Sequence, residues 1–199
     1  CMLLRKHIGN ARILSVTQPN FERIIEMELE HLDEMGDLCR KKLIVEIMGK
    51  HSNIIFTDAD GTIIDSIKHI SHQVSSVREV LPGRTYVYPP AQEKENPLDI
   101  DINYFMNHVL RKPVSVTKAI YTSLTGLSPV IANEICYRAG VDGGMSTAGL
   151  SMREQESLYA AFDAMRRSIK EEQFAPCIAY QGYAPKEFAA CTLTMYGAQ

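Results

Sequence analysis

A chain of 199 residues with 45% hydrophobic and 23% charged residues can bury a substantial core, as one large domain or two modest ones. Its formal net charge of -3 excludes a uniformly basic coat of the kind that holds nucleic acid by bulk electrostatics, so any such contact has to be local. The longest apolar stretches fall far short of the roughly 18 to 20 residues that crossing a bilayer requires, so no membrane partner is expected.

The chain opens on Cys1 and runs directly into Met2-Leu3-Leu4-Arg5-Lys6-His7, which reads as the end of a helix already under way and predicts that the natural N-terminus lies upstream. After the helix-ending Gly9-Asn10, Ala11–Thr17 and Phe21–Leu29 read as strands. The second alternates Phe21, Arg23, Ile25, Met27 and Leu29 against Glu22, Ile24, Glu26, Glu28 and Glu30. Leu43–Met48, Asn53–Thr57 and Thr62–Ile67 add three more, with Asp60-Gly61 as the dipeptide of a type I′ hairpin. This pattern predicts an antiparallel meander. Residues 81–98 hold Pro82-Gly83, Pro89-Pro90 and Asn96-Pro97 and are expected to form an extended connector, with Tyr86 and Tyr88 packing back on the sheet.

Beyond the connector the period becomes helical. Ile102, Phe105, Met106, Val109 and Leu110 share one helix face; Val116, Ala119, Ile120 and Leu124 share the next, after Ser115 as N-cap. Ser128-Pro129 predicts a third helix that Gly140 ends, and Ser151 with Glu154 a capping box for a fourth, with Leu158, Phe162, Met165 and Ile169 as its buried stripe. Cys177–Tyr180 and Phe188–Leu193 are expected to return as strands to the first sheet. The expected organisation is therefore α+β: a β-rich domain over 1–98, a helical subdomain over 99–175, and a return segment over 176–199.

Five scattered cysteines without a C-x-x-C pair predict free thiols and a reducing compartment, hence a cytoplasmic protein. His7, His51, His69 and His72 lack carboxylate or cysteine partners at ligand spacing, so neither a metal nor a cofactor is expected.

Two segments carry chemistry. Leu124-Thr125-Gly126-Leu127-Ser128-Pro129, between helices, looks like a helix-hairpin-helix element, whose turn and following helix N-terminus can present N–H groups to a phosphate; Gly126 permits the close approach, and a purely structural turn is the competing account. Glu46–Ile55 contains a basic turn in which Lys50, His51, Ser52 and Asn53 are competent donors to phosphate or ribose, or alternatively a solvated hairpin satisfying its own backbone. The guanidinium of Arg23 could grip a phosphate bidentately beside Glu22, or could pair across the strands with a carboxylate such as Glu46.

Taken together, Leu4-Arg5-Lys6-His7, Gln18–Ile24, Glu46–Ile55, Leu81–Tyr86 with Pro89-Pro90, and Gly126–Pro129 closely resemble, in order and spacing, the N-terminal region of the NFACT family. That group was long labelled fibronectin-binding protein A and is linked to ribosome quality control. The resemblance implies an antiparallel, glycosylase-like fold with an inserted helix-hairpin-helix subdomain. It also implies binding to tRNA and to a large ribosomal subunit obstructed by peptidyl-tRNA, in a protein that promotes alanine tailing of stalled chains. The family's Asp-Arg pair falls on Glu22-Arg23, with Glu in place of Asp. The expected docking surface is Arg5, Lys6, Glu22, Arg23, Lys50, His51 and Asn53, with Arg78, Arg84 and Gly126 as further candidates. Catalysis is not expected; the alternative is a cell-surface adhesin that binds fibronectin.

Overall fold

A computed structural model of the chain describes residues 2–90 and 93–197. Two compact units divide it at residues 91 and 92.

The first unit starts with a short helix, α1 (Met2–Ile8), and continues as β1 (Arg12–Thr17), β2 (Ile24–Leu32), β3 (Leu38–Glu46), β4 (Asn53–Asp58) and β5 (Ile63–Ser66). Sheet order is β1-β2-β3-β4-β5, each neighbour antiparallel, as the alternating sequence predicts. Ile24, Glu26, Glu28 and Glu30 share one face because Ile24 stands opposite Glu46, and Glu26 opposite Ile44. The Ile24 end of that face is buried, with Ile24, Ile44, Ile55, Ile63 and Val80 forming the core and Met48, Ile70 and Tyr86 packed against it. Each such side chain contributes roughly 1.5–3 kcal/mol on burial.

Residues 61–86 close over this core through Ile70–Val80 hydrogen bonds in both directions and through Ile63 N–H to the Arg84 carbonyl at 2.8 Å. Tyr86 and Tyr88 do pack back on the sheet, donating their hydroxyls to Glu46 and Glu26 respectively. The β4–β5 connection departs from the type I′ expectation. That turn needs positive φ at both central residues, whereas Gly61 has it (84°) and Asp60 does not. The Asp58 carboxylate accepts from Asp60 N–H and Thr62 N–H at 3.1 and 2.8 Å, organising a longer loop that ends on the left-handed glycine, and the ladder bulges at Phe56/Thr57.

In the second unit, Glu95 bridges Leu124, and the helices follow. The first is α2 (Ile102–Tyr104), capped by Asp101 and running on as one π-helical stretch over Phe105–Val109. Then come α3 (Val116–Ser123), α4 (Pro129–Ala139) and α5 (Met152–Lys170). The Ser128 hydroxyl caps α4, Gly140 ends it at φ 68°, and Ser151 with Glu154 forms the capping box of α5. Ser115 occupies the N-cap position of α3 without a side-chain cap bond, a difference from expectation. Phe105, Ile120, Leu124, Ile135, Leu158 and Phe162 lead the core, with Phe105 stacked on Phe162 at 4.9 Å.

The last strands are a correction. β6 (Cys177–Gln181) and β7 (Ala184–Ala189) pair with each other in a two-stranded sheet, not with β1–β5. Gly182 at φ 62° lets the chain reverse immediately, so each strand finds its partner locally instead of returning to the meander. Cys39, Cys136, Cys177 and Cys191 are free thiols. Among the described residues no helix is long and apolar enough to cross a membrane, and no group of three or more metal-ligating side chains comes together.

Candidate nucleic-acid interface

The residues of the expected docking surface, apart from the further candidates Arg78, Arg84 and Gly126, fall at two ends of β2. Arg5 and Lys6 ride on α1, where Lys6 meets Glu34 of the β2–β3 turn at 3.3 Å with both side chains exposed. Arg23, Lys50, His51 and Asn53 gather at the opposite end, before β2 and between β3 and β4. Nine residues of β2 separate the groups, roughly 30 Å at about 3.4 Å per residue. One continuous surface of all the expected residues is therefore not what the fold builds.

At the Arg23 end the backbone is unusual. Asn20 and Phe21, in the 3-10 turn Pro19–Phe21, hold φ of 52° and 58°, a left-handed conformation that costs L-residues on the order of 1–3 kcal/mol. The turn is tied down by Glu22 N–H to the Pro19 carbonyl at 2.9 Å and by the Gln18 amide donating to the Glu22 carbonyl at 2.8 Å. It delivers Glu22 half-buried and Arg23 exposed, and the Arg23 carbonyl receives Ile47 N–H at 2.8 Å, tying it to the entrance of the next turn. There Gly49, at φ 57°, starts a 3-10 turn over Gly49–His51 that leaves Lys50 and His51 exposed. The Ser52 hydroxyl closes it by accepting Met48 N–H at 2.9 Å.

Asn53 plays a different part from the donor role expected of it. Its residue is 3% exposed, and its amide is consumed within the fold, donating to the Lys68 carbonyl and accepting Lys68 N–H, both at 2.9 Å. Lys68, which sequence patterning passed over, is thereby fixed just past β5; its ammonium donates to the Lys50 carbonyl at 2.9 Å. No local signal marks it, because the contact spans 18 residues and exists only once β4 and β5 pair. Arg23, Lys50 and Lys68 have no carboxylate within 4 Å among the described residues. At the other end, by contrast, Arg12 pairs with Glu30 at 2.8 Å and Arg40 with Glu28 at 3.3 Å.

Arg78 is likewise not an accessible donor. Its guanidinium forks onto the buried Glu46 carboxylate at 2.8 and 2.5 Å and donates to the Val87 carbonyl at 2.8 Å, while Tyr86 O–H reaches Glu46 at 2.8 Å. Burial and the Glu46 charge push the Tyr86 hydroxyl far above its ordinary range. Burial lowers the Arg78 pKa, but the Glu46 hydrogen bond and charge outweigh it and hold the guanidinium above its ordinary value. Glu46 could not have met Arg23, because Ile24 stands opposite Glu46 and its predecessor points to the other face. Arg84 is more than half exposed and pairs with Glu79 at 3.2 Å.

Gly126 lies in the second unit, in the turn between α3 and α4, exposed and at φ 75°. Thr125 N–H donates to the Glu95 carbonyl at 2.9 Å, and Ser128 caps α4. The geometry is that of a tight turn between two helices.

These features accompany clear similarity to known proteins. Residues 1–199 match the family described as NFACT N-terminal and middle domains, and the chain belongs to that family. It is 38% identical over 179 residues to the Rqc2 homolog RqcH of Bacillus subtilis (strain 168), covering 89% of this chain and 30% of that protein. To the Rqc2 homolog RqcH of Streptococcus pneumoniae serotype 2 it is 33% identical over 190 residues, covering 94% and 31%. Its fold resembles a fibrinogen binding protein from Staphylococcus aureus, with TM-score 0.78 and 28% identity over 100% of this chain and 68% of that one. It also resembles the N-terminal part of a fibronectin/fibrinogen-binding protein from Streptococcus suis, with TM-score 0.69 and 31% identity over 96% and 64%. The chain thus spans about a third of the length of these curated relatives.

Proposed function

We infer that the chain is the RNA-docking part of a cytoplasmic ribosome quality control factor. It binds tRNA on a large ribosomal subunit obstructed by peptidyl-tRNA, within a whole protein that promotes alanine tailing of the stalled chain. Its role is binding and orientation, with peptide bond formation left to the ribosome. The observation that carries the reading is the Arg23–Lys50–His51 end of the first unit: exposed basic side chains delivered by two constrained turns, Arg23 and Lys50 without carboxylate partners among the described residues, while Lys6, Arg12 and Arg40 at the far end pair with Glu34, Glu30 and Glu28. A guanidinium whose backbone is anchored at the exit of a strained turn suits bidentate phosphate recognition, and half-buried Glu22 beside it would accept a ribose hydroxyl. The RqcH names of the relatives point the same way. The helix-hairpin-helix reading of the Gly126 turn adds a second phosphate contact, made by backbone N–H groups at the start of α4.

The test is tRNA binding by the 199-residue chain across a salt series. Arg23→Ala is expected to weaken binding and to reduce the slope of log affinity against log salt by about 1. An unchanged slope removes Arg23 from the interface. The fibronectin names of structural neighbours support a second reading, in which the chain is a surface-exposed adhesin. Saturable binding to immobilised fibronectin, with no tRNA affinity at low salt, would put that reading first.

A further inference from the structure

We propose that Lys68 is a phosphate-contacting residue of this RNA-binding end, its ammonium held over the Gly49–His51 turn by the buried amide of Asn53. The inference rests on the RNA-docking reading and adds to it a contact residue and the device that positions it. Lys68 lies outside every strand, yet both of its backbone polar groups are held by one side chain, as a neighbouring strand would hold them: N–H to Asn53 Oδ1 and carbonyl from Asn53 Nδ2. The Ser66 hydroxyl donates to the same carbonyl at 3.0 Å. With its backbone fixed, the side chain reaches the Lys50 carbonyl and brings its charge beside Lys50 and His51.

Three features make this a binding group and not a decoration of the turn. A free lysine side chain is rich in rotamer entropy; the intramolecular bond orders it before a ligand arrives, so less is lost on binding. That bond uses one of the ammonium's three donors and leaves two for an anion. The carboxylate three residues away in sequence, Asp65, is occupied by His69 at 2.8 Å, and its carboxyl is held below the usual carboxylate range by that hydrogen bond. The ligand that fits two lysines and a histidine on an exposed turn is the phosphodiester backbone of an RNA, gripped without regard to base.

The experiment compares the wild-type chain with Lys68→Met, Lys68→Arg and Arg23→Ala, measuring affinity for a full-length tRNA transcript across a salt series together with each melting temperature. Lys68→Met keeps the apolar stem and is expected to bind about five- to eightfold more weakly at 0.1 M salt, with the slope reduced by about 1 and the melting temperature unchanged. Lys68→Arg is expected to retain the slope. Wild-type affinity in Lys68→Met while Arg23→Ala is impaired would overturn the role of Lys68 and leave the docking reading standing. A loss that tracks a lowered melting temperature would make Lys68 a structural clamp and overturn the proposal. No tRNA binding by the wild-type chain at low salt would overturn both.

Discussion

At the scale of single residues, the decisive fact is which cations are already spent. Arg23 and Arg78 are both candidates in the sequence, Arg78 the lesser, but Arg78 is sealed against Glu46, the Tyr86 ring and the Val87 carbonyl, while Arg23 faces solvent. Truncating Arg78 to Ala should strand a buried carboxylate and destabilise the chain by about 3–5 kcal/mol, measured by urea unfolding. Replacing Arg78, Glu46 and Tyr86 together by Met, Leu and Phe should recover most of that loss, because a matched apolar replacement removes the desolvated charge as well as the groups that pair with it. The sequence could place Glu46 at the end of a strand but not name its partner. Arg78 is 32 residues downstream, in a proline-containing region without periodicity, and only the folding of residues 61–86 over the sheet brings it there. Asn53 carried the same ambiguity: an amide can serve ligand or backbone equally, and burial decides for the backbone.

At the scale of elements, the strands and helices with strong periodicity were readable, and the connections were less so. The five-strand meander, the α4 and α5 caps and the apolar stripe of α5 follow directly from alternation, Ser-Pro and the Ser151–Glu154 spacing. The first half of β3 escaped notice because three of the five residues Leu38–Lys42 are charged; in the fold Glu28 and Glu30 stand opposite Lys42 and Arg40 with complementary charge. The π-helical turn at Phe105–Val109 has no sequence signature; it lets Phe105 and Val109 both be fully buried. The α3–α4 packing is tight enough to test. A Cβ on Gly143 would sit 2.2 Å from the Thr117 hydroxyl, which itself donates to Asn133 at 2.8 Å. Gly143→Ala should therefore cost about 1–3 kcal/mol, seen as a lowered melting temperature, by overpacking.

At the scale of the molecule, acid should be the condition that loosens it. Burial pulls the Glu134 carboxyl up, but hydrogen bonds from Thr194, Met195 and Arg138 outweigh that and hold it below its ordinary value; Asp65 is lowered by His69. For such groups the unfolded chain takes up protons first. Their stabilisation is therefore complete above the usual carboxylate pKa of about 4 and is lost as pH falls through the lower folded values. Thermal unfolding between pH 7 and pH 3 should show a falling midpoint only in the acid part of that range. Glu134→Gln should flatten the fall while lowering stability at pH 7 by about 2–3 kcal/mol. The antiparallel class of the fold could be read from alternation and the family from five separated motifs, whereas the independence of the β6–β7 hairpin could not, because strand pairing partners are a property of topology and not of composition. Lys6, Arg12 and Arg40 are paired at one end of β2, while Arg23 and Lys50 stand without carboxylate partners among the described residues at the other. With a net charge of -3, most of the molecule repels a polyanion at long range. On the RNA-docking reading proposed above, that repulsion would disfavour most approach orientations and leave the Arg23 end as the favoured one, so the encounter would be steered before any contact is made.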